Sequence, residues 1–223
     1  DSLASTSIGE ELIVARDIML ANEAGARIHL CHISTKNSLD IIKTAKERGI
    51  KVTCETGPHY FIFNKDDVNG DPNKKMNPPL RSKEDVEAVK ETLRNGTIDV
   101  IATDHAPHSK EEKSKPIEKA LNGIVGIETS FALSYTYLVK TGILTPLELI
   151  NKMSTKGAEI LDINRGTLKV GSIADIALFD VTNEYEIKEE DFKSKSHNSP
   201  FIGMNVYGRT VQTFVAGVCK YHI

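Results

Sequence analysis

The chain has no tryptophan, only 6% aromatic residues, and three cysteines among its 223 residues. Cys31, Cys54 and Cys219 show no CxxC spacing and cannot all pair. Neither a disulfide framework nor a cysteine-rich zinc site is therefore indicated, and a reducing, cytoplasmic setting is expected. No apolar run approaches the roughly 18 residues of a membrane span. A formal net charge of -3 leaves no electrostatic footprint for nucleic acid or an anionic membrane surface. The opening "DSLASTSIGEELIVARDIML" lacks the basic segment and apolar core of a signal peptide, and it lacks an initiating Met. The chain is therefore expected to start inside a longer protein. Internal repeats and low-complexity tracts are also missing, which leaves a small molecule as the default partner.

What remains is the composition of an ordinary globular protein, 39% hydrophobic and 26% charged. Apolar residues at Ile8, Leu12, Ala15, Ile18 and Met19 predict an amphipathic helix over 8–24 closed by Gly25, with those residues as its buried face. "ARIHLCHIS" reads as a strand, "TKNSLDIIKTAKERG" as a helix stopped by Gly49, and "IKVTCET" as a second strand. "SKEDVEAVKETLRNG" opens with Ser82 and Asp85 in capping-box spacing. A third strand, "IDVIATDHAPHSK", follows it. Alternating strands and helices imply a parallel sheet. "IVGIETSFALSYTYLVKTG" and "TPLELINKMSTKGAEILD" predict two more helices, the second with Thr145 as N-cap and Pro146 at the first position. The tail turns to short β-type runs, which suggests a small β subdomain over 163–223 after an α/β part over 1–162. The tract "KEEDFKSKSHNSP" reads as a solvated surface loop.

Asp104, His105 and His108 sit where the third strand ends, and His32 ends the first. In parallel α/β sheets the C-terminal edge is where catalytic side chains project, so His32 and Asp104 could converge. Imidazole and carboxylate are common ligands of zinc, but two are too few for a catalytic ion, and a packed or capping His32 is the alternative. His29, three residues earlier, is expected to face a helix and bind nothing. His59 in "GPHYF" is read either as structural or as approaching the mouth. "KMNPPLR" holds Asn77 and Arg81 in a stiff turn at the same edge, where Asn77 could present an amide to a polar substrate. Gly123 and Gly126 in "LNGIVGIETS" allow close backbone approach to a ligand.

Taken together, "HLCHIST", "KMNPPLR", "IATDHAPHSKEEK", "NGIVGIET" and "GTLKVGSIADIALFD" resemble the C-terminal part of bacterial dihydroorotases of the amidohydrolase superfamily. The resemblance covers nearly the whole chain. It implies an α/β fold: a partial (β/α)8 TIM-type barrel, about strands six to eight, plus a small C-terminal β-sandwich. It also implies a centre of one or two Zn2+ ions and reversible cyclisation of N-carbamoyl-L-aspartate to L-dihydroorotate in pyrimidine biosynthesis. By motif, His32 corresponds to the sixth-strand metal ligand, and Asp104 to the eighth-strand ligand that doubles as general acid/base. Asn77 and His108 correspond to substrate-holding positions, with His105 as an orienting neighbour. The implied partners are a second copy in a homodimer and an aspartate carbamoyltransferase.

Two departures stand out. Asn122-Gly123 replaces the usual Phe-Gly at a substrate-binding backbone position, and the ligands of the first, fourth and fifth strands have no counterpart. The 223 residues alone are therefore expected to be inactive. Hydantoinases and allantoinases are the nearest alternatives, and a metal-free scaffold subunit is the alternative outside catalysis.

Overall fold

The computed structural model describes residues 6–223. They divide into two compact units, one running to Glu128 with Phe192–Pro200 added, the other comprising Thr129–Asp191 with Phe201–Ile223. The first unit alternates helix and strand: α1 (Ser7–Glu23), β1 (Ile28–Leu30), α2 (Lys36–Glu47), β2 (Val52–Thr56), α3 (Pro58–Ile62), α4 (Lys83–Asn95), β3 (Val100–Ile101) and α5 (Lys110–Lys113). The strands form a parallel sheet in the order β1-β2-β3, with His29 opposite Thr53 and Thr56 opposite Ile101. The expected α/β alternation and parallel sheet are thus present.

Local chemistry explains the helix ends. The Thr6 and Thr35 hydroxyls accept hydrogen bonds from the backbone N–H groups of Gly9 and Ser38. Ser82 and Asp85 form the reciprocal capping box that their spacing suggested. Gly25, Gly49 and Gly96 end their helices at φ +64, +77 and +86, a region open to glycine without steric cost. The strands are shorter than their apolar runs. Before β3, the Asp99 carboxylate accepts from Cys54 N–H at 2.9 Å and from Lys46 Nζ at 2.6 Å, so a side chain substitutes for part of the ladder. Leu39, Ile42, Val89, Leu93 and Ile98 are essentially fully buried, and each contributes about 1.5–3 kcal/mol of transfer energy.

The expected buried face of α1 needs correction. Val14, Ile18 and Ala21 are buried, whereas Leu12 and Met19 are 57% and 71% exposed and Ile8 is exposed as well. The helix carries apolar residues on more than one side, so periodicity alone could not select the packed face. The tract "KEEDFKSKSHNSP" also differs from a solvated loop, because Asn198 and Ser199 at its end are buried.

The second unit holds α6 (Ser130–Ser134), α7 (Pro146–Ile150), α8 (Lys156–Leu161) and the strands β4 (Ile176–Glu186), β5 (Asn205–Val215) and β6 (Val218–His222). Both expected helices are present but contain a π-helical turn, at Tyr135–Val139 and Asn151–Thr155. Thr145 and Pro146 open α7 as expected, with Glu148 completing a capping box. The tail strands form an antiparallel sheet, β4-β5-β6. Ala216 and Gly217, both at positive φ, make the two-residue β5–β6 turn. Gly208 is required at its place, because a Cβ there would lie 3.0 Å from the Phe131 ring, which stacks on Phe179.

One buried polar network ties α1 to the loops beyond the sheet. The Glu10 carboxylate accepts from the backbone N–H groups of Ser34 and Thr35, from the Ser34 hydroxyl, and from Arg81 Nη2 at 3.3 Å. Arg81 Nε also donates to Ser34 Oγ at 3.0 Å, and the Glu10 and Arg81 side chains are both buried. Removing one partner strands the other charge. Glu10→Ala should therefore destabilise the chain by about 3–5 kcal/mol. Adding Arg81→Leu should recover part of that loss in a denaturant double-mutant cycle, and strictly additive losses would contradict the pairing.

Candidate active site

Beyond Leu30 the chain turns out of β1 through His32, which has φ +44, and beyond Ile101 it turns out of β3 through Asp104, with φ +47. Left-handed conformations at non-glycine residues cost about 1–3 kcal/mol and persist only where surrounding contacts enforce them. Those contacts are visible. Ile33 N–H donates to Glu55 O at 2.8 Å, Thr56 Oγ1 donates to Ile33 O at 3.0 Å, and Ala102 N–H donates to Thr56 O at 2.9 Å. The Glu10 network fixes the next two residues after Ile33. Both side chains thus lie at the C-terminal edge of the parallel sheet.

His59, which the sequence left open, is at that edge too. It is 1% exposed, and among the described residues Nε2 has no hydrogen-bond partner; it lies 3.9 Å from Asp104 Oδ2, too far for a hydrogen bond. The ring sits against Gly57, where a Cβ would approach Cε1 to 2.5 Å, so the glycine makes the space for the imidazole. Tyr60 flanks it at 4.1 Å between ring centroids and donates its hydroxyl to Pro78 O at 2.6 Å, joining α3 to the "NPPLR" turn. Burial, with His32 adding to it, lowers the His59 pKa to about 3. Burial raises the Asp104 carboxyl, nearby Glu55 adds to the rise, and His32 opposes it. A carboxylate with a raised pKa is better placed to take and return a proton near neutrality.

The adjoining loops are held by their own bonds. His105 pairs with Ile124 in a short parallel bridge, and its Nδ1 accepts from Gly126 N–H at 3.1 Å. That places the ring proton on Nε2 of the neutral imidazole. His105 thus joins the "TDHAPH" turn to the backbone at Ile124 and Gly126. His108 Nε2 donates to Asn122 O at 2.8 Å, and Gly123, at φ +120, would place a Cβ 2.4 Å from the Ala106 Cβ. Gly123 N–H donates to Lys75 O, which brings the loop carrying exposed Asn77 alongside Asn122 and Gly123. Arg81 does not face outward with Asn77, because it is committed to Glu10 and Ser34.

Two residues that sequence reasoning did not single out organise these loops. Asn198 donates its amide to Ala106 O and Gly123 O, both at 3.1 Å, and accepts from His108 N–H at 3.2 Å. Buried Lys113 donates to Leu121 O and Gly123 O at 2.9 and 3.0 Å. Neither signal is visible in a single sequence, because an asparagine in a charged tract and a lysine in "SKEEK" read as solvated. The His29 ring lies within hydrogen-bond distance of Thr53 and Glu55, on a face it shares with Cys31.

A family model described as the amidohydrolase family matches residues 5–219. The chain belongs to the amidohydrolase family. Among curated relatives of this amidohydrolase chain, a dihydroorotase of Staphylococcus aureus is 49% identical over 216 residues, covering 96% of the chain and 51% of the relative. A dihydroorotase of Geobacter metallireducens is 52% identical over 213 residues, covering 95% of the chain and 50% of the relative. Among solved structures, an L-hydantoinase (dihydropyrimidinase) from Arthrobacter aurescens superposes with a TM-score of 0.92 at 34% identity, covering 97% of the chain and 49% of that protein. The chain spans about half the length of the curated relatives it matches.

Amidohydrolases are generally metal-dependent. The donors fit such an ion: an imidazole and a carboxylate at the C-terminal ends of β1 and β3, with a buried imidazole nitrogen, without a partner among the described residues, 3.9 Å from the carboxylate.

His59 gives a pH signature. Its folded pKa of about 3 lies below the ordinary 6.5. The unfolded chain therefore takes up a proton below pH 6.5 that the folded chain refuses until about pH 3. Stability should fall with acidification across that window, by up to about 1.4 kcal/mol per pH unit. The stability gap between wild type and His59→Gln in urea melts should accordingly shift in favour of the variant between pH 7 and pH 4.5. Parallel profiles would show that His59 titrates normally.

Proposed function

We propose that this chain is the C-terminal portion, about strands six to eight with a small β-sandwich, of a zinc-dependent dihydroorotase. The complete protein interconverts N-carbamoyl-L-aspartate and L-dihydroorotate in pyrimidine biosynthesis. The observation that carries the reading is the 49–52% identity to dihydroorotases over nearly the whole chain, against 34% or less to the hydantoinase structures. In this reading residues 1–162 belong to the barrel and 163–223 to the sandwich, and the protein works in the cytoplasm as a homodimer that can associate with an aspartate carbamoyltransferase.

His32 and Asp104 would hold Zn2+ together with ligands from the rest of the protein. The ion, when bound, polarises the amide carbonyl and makes water a nucleophile near neutral pH. Asp104 then supplies the proton traffic. In ring opening it takes the proton of the attacking water, and it returns that proton to the leaving ring nitrogen; in cyclisation the same steps run in reverse. His59 lies behind Asp104, where as neutral imidazole it limits the directions the carboxylate can turn. Asn77 offers an amide to the substrate carboxylate. His108 holds Asn122 and Gly123 through Nε2, so it can donate to a carboxylate through Nδ1 only when doubly protonated. The backbone at Asn122 and Gly123 supplies further polar contacts.

The structural likeness to hydantoinases keeps a cyclic-amide hydrolase of that type as the second reading. Turnover of dihydroorotate, hydantoin and allantoin by the complete protein separates them. Dihydroorotate should be preferred, and Asp104→Asn should lower kcat by about 10²–10⁴-fold with the fold intact. Preference for hydantoin would replace the reading with the second one. A folded, zinc-free full-length protein that hydrolyses none of the three would point to a scaffold. The 223-residue chain alone should turn over none of them, because two ligands do not hold a catalytic zinc.

A further inference from the structure

Parallel pairing of β1 with β2 puts His29 opposite Thr53, and carrying the register two residues further puts Cys31 opposite Glu55. With the period of two along each strand, all four side chains share one face, the one opposite buried Leu30 and Cys54. The ligand atoms of His29, Cys31 and Glu55 all lie within 4.8 Å of one another. None of the three is fully buried, so solvent ions have access.

Both ring nitrogens of His29 have a polar neighbour. The Thr53 hydroxyl lies 2.8 Å from His29 Nδ1 and 3.5 Å from Ile28 O. His29 Nε2 lies 3.1 Å from a Glu55 carboxylate oxygen, and a cation between them would take the Nε2 lone pair while Nδ1–H donates to the Thr53 hydroxyl. An outer hydrogen bond from the second ring nitrogen is also the usual arrangement of a metal-ligating histidine.

We propose that His29, Cys31 and Glu55 form a cation site for a thiophilic divalent ion such as Zn2+, separate from the His32 and Asp104 pair. Nitrogen, sulfur and oxygen donors leave one tetrahedral position for water. Bonds of about 2.0–2.3 Å require the three donors to close by only about 1 Å, within reach of side-chain rotation. The Cys31 thiol binds as thiolate and releases its proton to solvent. Occupancy pins β1 to β2 below the strand ends. This inference stands apart from the proposed activity, since the site needs no ligand from outside this chain.

Co2+ titrated into the 223-residue chain tests it. A near-ultraviolet thiolate-to-cobalt charge-transfer band should appear and be lost in Cys31→Ser, which alters an exposed side chain and should fold normally. Thr53→Val should keep the band and weaken binding by about 10–100-fold. Asp104→Asn and His32→Ala should keep both band and affinity. The proposal is overturned if wild type gives no band, if the band survives Cys31→Ser and so belongs to another cysteine, or if it disappears with Asp104→Asn. Because the readout is spectroscopic, its failure leaves the dihydroorotase reading intact, and failure of the turnover assay leaves this site intact.

Discussion

The buried ion pair between Glu10 and Arg81 constrains the rest of the first unit. It joins α1, the turn after β1 and the end of the "NPPLR" segment, whose partners are 71 positions apart in the chain. Two charges taken out of water are costly, and mutual attraction offsets that cost only where further hydrogen bonds complete the shell. Here the serine and threonine that follow the His32 turn complete it, through backbone and hydroxyl donors. The same bonds that make the pair tolerable thus fix the loop in which His32 adopts its left-handed backbone.

A second set of constraints acts on the Asp104 side. Gly57 leaves room for the His59 ring and Gly123 for the approach of Ala106, while Gly126 passes against Thr103 O, where a Cβ would come within 2.5 Å. Asn198 returns from the far end of the sequence to bridge carbonyls on both strands of the His105–Ile124 bridge. The site residues themselves make few hydrogen bonds to one another. Their placement comes from backbone and supporting side chains, and among the described residues His59 Nε2 is left without a hydrogen-bond partner.

Much of the fold was legible because it is encoded locally. Helix caps at Thr35, Ser82 and Thr145, stops at Gly25 and Gly49, and the alternation of apolar runs all follow from interactions within a few residues. The π-helical turns were not legible, since a one-residue slip barely disturbs apolar periodicity. The buried face of α1 was not legible either, because Ile8, Leu12 and Met19 compete with Val14 and Ile18 on composition alone. The placement of His32 and Asp104 just beyond strand ends was legible too. His59, Asn198 and Lys113 depend on contacts between distant segments, and the face chosen by His29 depends on the pairing of β1 with β2. Charge and polarity in the sequence pointed to solvent for Asn198 and Lys113, and tertiary hydrogen bonding overrode that signal.

The central claim is that His32 and Asp104 form the part of a metal centre that this chain contributes. Anomalous diffraction at the zinc edge, from crystals of the protein extended to the length of its relatives, tests it directly. A peak about 2.0–2.2 Å from an imidazole nitrogen of His32 and a carboxylate oxygen of Asp104 is the predicted result. A zinc-loaded protein in which neither residue touches an ion would contradict it.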